Sequence, residues 1–162
     1  MTIKIKQIGV IYTPFKSSEG VPIQSTKSDA IGEALLNEEY ARGLDSLDGF
    51  SHIILLYWCH KANPPSMMVK PYLDTKEHGI FSTRAPSRPN PIGLSIVELI
   101  QVEETGLRFK GADMLDGTPL LDIKPFVPEF DNRISATSGW LSRSLKKQSQ
   151  SFISDDRFEK GS

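Results

Sequence analysis

The sequence predicts a mainly β fold, a mostly antiparallel barrel or strongly curled sheet with a few short helices. Three observations lead there. The apolar segments are short and rich in Ile, Val and Leu. The helical patterns are shorter still, and they do not alternate with strands as a parallel βαβ sheet requires. The chain has 162 residues, enough for one domain with a real core and too few for two comfortable ones.

The elements follow in order. Ile3 to Tyr12 alternates and reads as a strand. Residues 13–28 are polar, with one Gly and two Pro, and form a long loop of the kind that is often functional. Periodicity does not decide between strand and helix for 30–36. Glu38 to Leu47 reads as a short helix with Leu44 and Leu47 on the Tyr40 face and Gly49 just beyond it. Phe50 to Cys59 is apolar on both faces, the pattern of a buried central strand. Residues 61–79 form a Pro-rich polar excursion. Leu94 to Glu103 and Leu107 to Gly111 form a hairpin around Glu104, Thr105 and Gly106, and Leu120 to Ile123 is a further strand. A short helix is expected around Trp140 to Leu145. The domain is therefore drawn over residues 1–142, with 143–162 as a basic and polar tail that frays.

Composition removes several function classes. Hydrophobic content is 38% and charged content 24%, ordinary for a soluble domain. No apolar run approaches bilayer length, and Met1 to Lys6 has no signal-peptide core. The single cysteine, Cys59, allows no internal disulfide and fits a reducing, cytoplasmic setting. A net charge of −1 gives no support to bulk electrostatic binding of nucleic acid, so a polyanion would need a local basic patch.

The most informative stretch is Gly79-Ile-Phe-Ser-Thr-Arg-Ala-Pro-Ser-Arg-Pro-Asn-Pro-Ile-Gly-Leu-Ser95. Its three prolines forbid a helix and stiffen the chain. A stiff loop carrying Arg84 and Arg88 orders around an anion at little entropic cost, and an Arg fork matches carboxylate or phosphate. A solvated surface is the plain alternative for either arginine alone. A second cluster, Asp113 to Asp122, contains the tight turn Asp116-Gly117, whose carboxylates suit a cation, a ribose or base chemistry. Cys59 and His60 point to opposite faces of a strand, so Cys59 reads as a small buried hydrophobe. His52 and His60 stand roughly 26 Å apart at about 3.3 Å per residue and cannot share a metal ion. No nucleophile elbow, phosphate loop or dinucleotide-binding glycine turn is present.

Four segments taken together resemble a known family. They are Gly9-Val-Ile-Tyr-Thr-Pro-Phe15, Gly49-Phe-Ser-His-Ile53, Phe81-Ser-Thr-Arg84 with Arg88-Pro-Asn-Pro-Ile-Gly-Leu-Ser95, and Asp113-Met-Leu-Asp-Gly-Thr-Pro-Leu-Leu-Asp-Ile-Lys-Pro125. In this order they are similar to the TsaA-like family, whose characterised members are TrmO-type tRNA methyltransferases. The likeness covers roughly residues 3–142.

The resemblance implies a single β-barrel, usually a homodimer, that uses S-adenosyl-L-methionine without a metal. It implies methylation of N6 of threonylcarbamoyladenosine in the anticodon loop of tRNA. By position it places cofactor contacts on Pro22, Ile23 and Gln24, on His60 and Lys61, on Arg84 and Leu94, and on Asp116, Gly117, Thr118 and Pro119. Arg84 suits the cofactor carboxylate, Asp116 its ammonium or ribose, and Leu94 and Ile23 its adenine, while Arg88 and Asn90 read more as supports for the loop or contacts for the acceptor. His60, Asp113 and Asp116 are alternative bases for the acceptor proton. Bacterial TrmO-type members carry a further C-terminal domain, so acceptor recognition is expected to rest on the barrel, the dimer and the basic stretch Arg143 to Lys147. The alternatives are a non-catalytic cofactor- or nucleotide-binding module and a small-molecule methyltransferase.

Overall fold

A computed structural model describes residues 1–147 and 153–159. Its centre is a closed antiparallel barrel of six strands. They are β1 (Gly9–Tyr12), β2 (Ile31–Leu36), β3 (His52–Trp58), β6 (Ile92–Glu103), β7 (Gly106–Lys110) and β8 (Thr118–Pro125), in the order β1-β2-β7-β6-β3-β8. The short strands β4 (Met68–Val69) and β5 (His78–Gly79) make a separate two-stranded sheet in the polar excursion. The expected barrel class is what the chain adopts.

Each barrel strand alternates inward and outward side chains. Ile11, Ala34, Ile53, Leu55, Val97, Leu107, Phe109 and Leu120 point inward and are essentially inaccessible. Gly32 lets the Phe109 ring occupy the barrel interior, because a Cβ there would collide with that ring. Gly93 does the same for Tyr57.

Two of these expectations change here, and one left open is decided. The first strand begins at Gly9, and residues 3–7 are exposed. Their Ile-Lys alternation has the right period but finds no partner in β2, whose last residue, Leu36, already meets Gly9. Residues 31–36 are strand, paired on both edges. The expected helix over 38–47 is two 3-10 segments, Glu38–Leu44 and Leu47–Gly49, broken where Ser46 takes a left-handed backbone with φ of 67°. The face prediction holds in outcome, because Leu44 and Leu47 both bury into the core.

Beyond β8 the described residues hold two helices, α1 (Pro128–Asp131) and α2 (Leu141–Lys147). The polar tail is not simply frayed. Residues 153–159 return to the domain, where Ile153 bridges Pro22, Glu159 bridges Ala62, and Phe158 is buried. Residues 148–152 and 160–162 of that tail lie outside the described residues. No helix among the described residues is long and apolar enough to cross a membrane.

Candidate functional site

Strand direction decides where the long loops go. The C-terminal ends of β1, β3 and β7 and the N-terminal ends of β2, β6 and β8 share one end of the barrel. The connections 13–30, 59–91 and 111–117 therefore all emerge there. The three notable loops of the sequence become neighbours for this reason. A register shift at Leu56/Tyr57 in the β3–β8 ladder marks the same rim, a common device beside active sites.

Two clusters form this mouth. In the first, Arg84 donates from Nη1 to Gln24 Oε1 at 3.0 Å, joining the arginine loop to the first loop. The Ser25 backbone contacts the Asp113 carboxylate, and Ser25 Oγ donates to the Ile96 carbonyl at 2.6 Å. That bond ties the first loop to β6, two residues from Leu94. Inside the barrel, Ser95 Oγ donates to Asp113 Oδ1 at 2.5 Å and lies 3.0 Å from Tyr57 Oη. Ser95 is 2% exposed, so this is a polar chain let into an apolar interior.

Burial pushes the Asp113 carboxyl up to about 6, against the opposing pull of its Ser95 and backbone hydrogen bonds and the nearby Arg84 charge. Burial also raises Tyr57, with Asp113 adding to the effect. Cys59 is pushed up to about 11 by burial and by Asp113. A thiol held protonated is not a nucleophile, which agrees with its reading as a small hydrophobe.

The second cluster surrounds Asp116. Its Oδ1 accepts from the Thr13 amide at 3.0 Å, and its Oδ2 from Lys16 Nζ at 2.6 Å. These bonds hold its carboxyl below the ordinary range. Thr13 Oγ1 donates to the Met114 carbonyl and Thr118 Oγ1 to the Leu115 carbonyl, fixing the turn that bears Gly117 and Pro119. Gly117 has φ of +74°, a conformation that favours glycine at this tight reversal. Lys61 Nζ donates to the Lys16 carbonyl at 3.2 Å and lies 3.9 Å from Glu159. His60 is half-buried, and burial and Lys61 lower its pKa while its contact with the Trp58 backbone opposes them.

Gln24 and Arg84 are thus in direct contact, as are the Asp116 turn and the first loop. Pro22 sits in the same loop and bridges Ile153. Leu94 faces outward and is 49% exposed. Its side chain belongs to the outer wall rather than to the barrel interior. Arg88 folds back on its own loop, donating from Nη1 to the carbonyls of Ile80, Thr83 and Ala85. It stiffens the segment that presents Arg84.

Sequence reasoning missed Ser25, Tyr57, Ser95, Lys16 and Glu159. A signal existed for Ser95. It occupies an inward position of an alternating apolar strand, where a hydroxyl needs a partner.

Comparison with known proteins gives a consistent picture. Residues 10–132 match the family model described as the tRNA-methyltransferase O N-terminal domain. A Pyrococcus abyssi protein named a probable S-adenosyl-L-methionine-binding protein is 47% identical over 148 residues, covering 91% of this chain and 80% of that one. The human tRNA (adenine(37)-N6)-methyltransferase is 36% identical over 134 residues, 77% of this chain and 30% of its own length. The crystal structure of TrmO from Pseudomonas aeruginosa superposes with a TM-score of 0.74 at 36% identity, covering 86% of this chain and 63% of that one. This chain therefore spans less than two thirds of the solved structure and under a third of the human relative.

Proposed function

The chain belongs to the tRNA-methyltransferase O family, and on that premise we propose that it is an S-adenosylmethionine-dependent tRNA methyltransferase. Its acceptor in this reading is N6 of adenine 37 in the anticodon loop, carried as threonylcarbamoyladenosine. The supporting observation is the convergence of Gln24, Arg84, Asp113 and Asp116 at one barrel end.

The donor set fits the cofactor. The Arg84 guanidinium suits a carboxylate. The Asp116 carboxylate suits an ammonium or a ribose diol, and its present partner Lys16 is 77% exposed, so exchange costs little. Pro22, Ile23 and Leu94 offer apolar cover, and His60, Lys61 and the Gly117–Pro119 turn complete the walls. When bound, the cofactor supplies a methyl group made electrophilic by its sulfonium.

Of the three candidate bases, Asp113 is the best placed. Asp116 is held acidic by Lys16 and the Thr13 amide, which makes it a weak proton acceptor. His60 lies with Lys61 and Glu159 in the second cluster. Asp113 lies at the mouth beside Arg84, and its carboxylate is oriented by Ser95. A carboxyl near 6 is mostly ionised at neutral pH yet more basic than an exposed one, the balance that general-base catalysis favours. In this reading it takes the proton from the acceptor N–H. Positioning supplies much of the remaining acceleration.

A homodimer and a cytoplasmic setting belong to the same proposal. Support for the dimer comes from the outer face of β6, where Ile92, Leu94, Ile96 and Ile100 are 38–49% exposed. Light scattering on the purified protein would show twice the monomer mass. Nucleoside mass spectrometry tests the activity. tRNA incubated with protein and cofactor should yield methylated threonylcarbamoyladenosine. Cofactor binding with unchanged tRNA would favour a binding module instead, and label appearing only in small metabolites would favour a small-molecule methyltransferase.

A further inference from the structure

Residues 153–159 touch three of the segments that carry or adjoin candidate cofactor contacts, one in the first loop and two in the 59–91 connection. On the first loop, the Gly20 amide donates to the Ser154 carbonyl at 3.1 Å, and the Ser154 amide donates to the Val21 carbonyl at 2.8 Å. Glu159 Oε2 accepts from both the amide and the hydroxyl of Ser18, at 3.1 and 2.6 Å. On the excursion after β3, the Asn63 amide donates to the Phe158 carbonyl at 2.9 Å, and Tyr72 Oη donates to the Asp155 carbonyl at 3.2 Å. On the arginine loop, Phe158 is 8% exposed and packs in one cluster with Ile80, Ala85 and Val69.

Those contacts bracket the site residues closely. Ser18 to Val21 lead into Pro22, Asn63 follows Lys61 by two residues, and Ile80 and Ala85 flank Arg84. The loops are long, and the first loop is otherwise tied to the 59–91 connection by few bonds, such as Arg84 to Gln24 and Lys61 to the Lys16 carbonyl. An irregular loop of this length orders only when something repays its entropy, and here the strap does so for the first loop and for two stretches of the 59–91 connection at once.

We propose that residues 153–159 are a positioning strap that holds the Pro22, Lys61 and Arg84 walls in register and so sets the affinity of the mouth for S-adenosylmethionine. Phe158 is its anchor and Glu159 its clasp. Neither residue is a catalytic group. The inference rests on the cofactor reading above, and its test separates the two. Full-length Phe158→Ala and Glu159→Gln proteins are compared with the parent in two ways. Cofactor KM should rise about tenfold in Phe158→Ala, and by less in Glu159→Gln, with kcat at saturating cofactor within about twofold, the pattern of lost binding rather than lost chemistry. Backbone hydrogen exchange should speed at Gly20 and Asn63 while Leu55 keeps its protection. Exchange at Gly20 and Asn63 unchanged in both variants overturns the strap, whatever the protein binds. Fast exchange with an unaltered cofactor KM overturns its role in affinity. A parent protein that binds no cofactor overturns the functional reading and with it the strap's role in affinity, and the exchange data alone then decide the architecture.

Discussion

The two ends of this barrel are built from opposite materials. One end is closed by a two-residue turn and by a longer connection that plugs it with apolar side chains. The turn of β6 into β7 takes only Glu104 and Thr105, and the 3-10 segments between β2 and β3 drive Leu44 and Leu47 into the core at 5% and 8% exposure. The other end bears long loops, and its interior turns polar along Tyr57, Ser95 and Asp113. Apolar closure contributes stability without needing direction, whereas the mouth trades some of that for groups fixed in place. The fold is secured at one end so that the other can be spent on chemistry.

The sharpest way to break this contrast is Asp113→Asn. The amide can still accept from Ser95, so the fold should persist, but turnover should fall about 10²- to 10⁴-fold. Cofactor affinity should change little. In the parent protein, activity should rise with pH through about 6 as Asp113 ionises, and the variant should lose that limb. Stability should run the other way. Because the folded-state carboxyl is raised, its contribution is complete below the unfolded value of about 3.9 and is lost as pH rises through about 6. A flat activity profile between pH 5 and 7 would remove Asp113 from the chemistry.

Leu44→Ala probes the closed end. Truncating a buried leucine costs roughly 2–5 kcal/mol, or roughly 4–20 °C in thermal midpoint for a domain of this size. Cofactor affinity of the folded protein should stay the same. If affinity fell as far as stability, the two ends would not be independent.

Arg84→Ala should weaken cofactor binding by roughly tenfold to a hundredfold, the loss of a charge-assisted hydrogen bond worth about 1.5–3 kcal/mol. Titration calorimetry measures it, and the thermal midpoint should barely move because Arg84 is exposed. The smallest effect belongs to Lys16→Ala. Exposed ion pairs contribute about 0–1 kcal/mol, so neither the folding equilibrium nor the affinity should shift more than about fivefold. A larger drop in affinity would make Lys16 a ligand of the cofactor rather than a temporary partner of Asp116.

The sequence made the mouth more legible than the means of holding it together. The arginine loop could be read because prolines act locally, and each one dictates its own backbone. The β6–β7 hairpin and β3 could be read because period-two alternation survives in the chain. Residues 3–7 show the limit of that signal. Their alternation is real, but pairing depends on a partner that β2 does not extend far enough to provide. The strap was illegible for the same physical reason. Phe158 sits among charged residues and looks like part of a solvated tail, and its burial depends on Ile80 and Ala85, more than seventy residues away. For Arg88 the sequence left a support for its loop and an acceptor contact both open, and it is a brace of the loop, a distinction that only carbonyl positions decide.

The seam of the barrel sets an order of events on the ribosome. Gly9 of β1 pairs with Leu120 of β8, and Ile11 with Thr118. The first strand to be synthesised must therefore wait until more than a hundred further residues have emerged before it finds its second neighbour. Contacts of such separation slow folding, and an unzipped β1 exposes strand edges while it waits. The strap is made later still. A nascent chain should thus acquire its barrel before its cofactor mouth, and a newly made molecule should resist proteolysis before it can bind the methyl donor tightly.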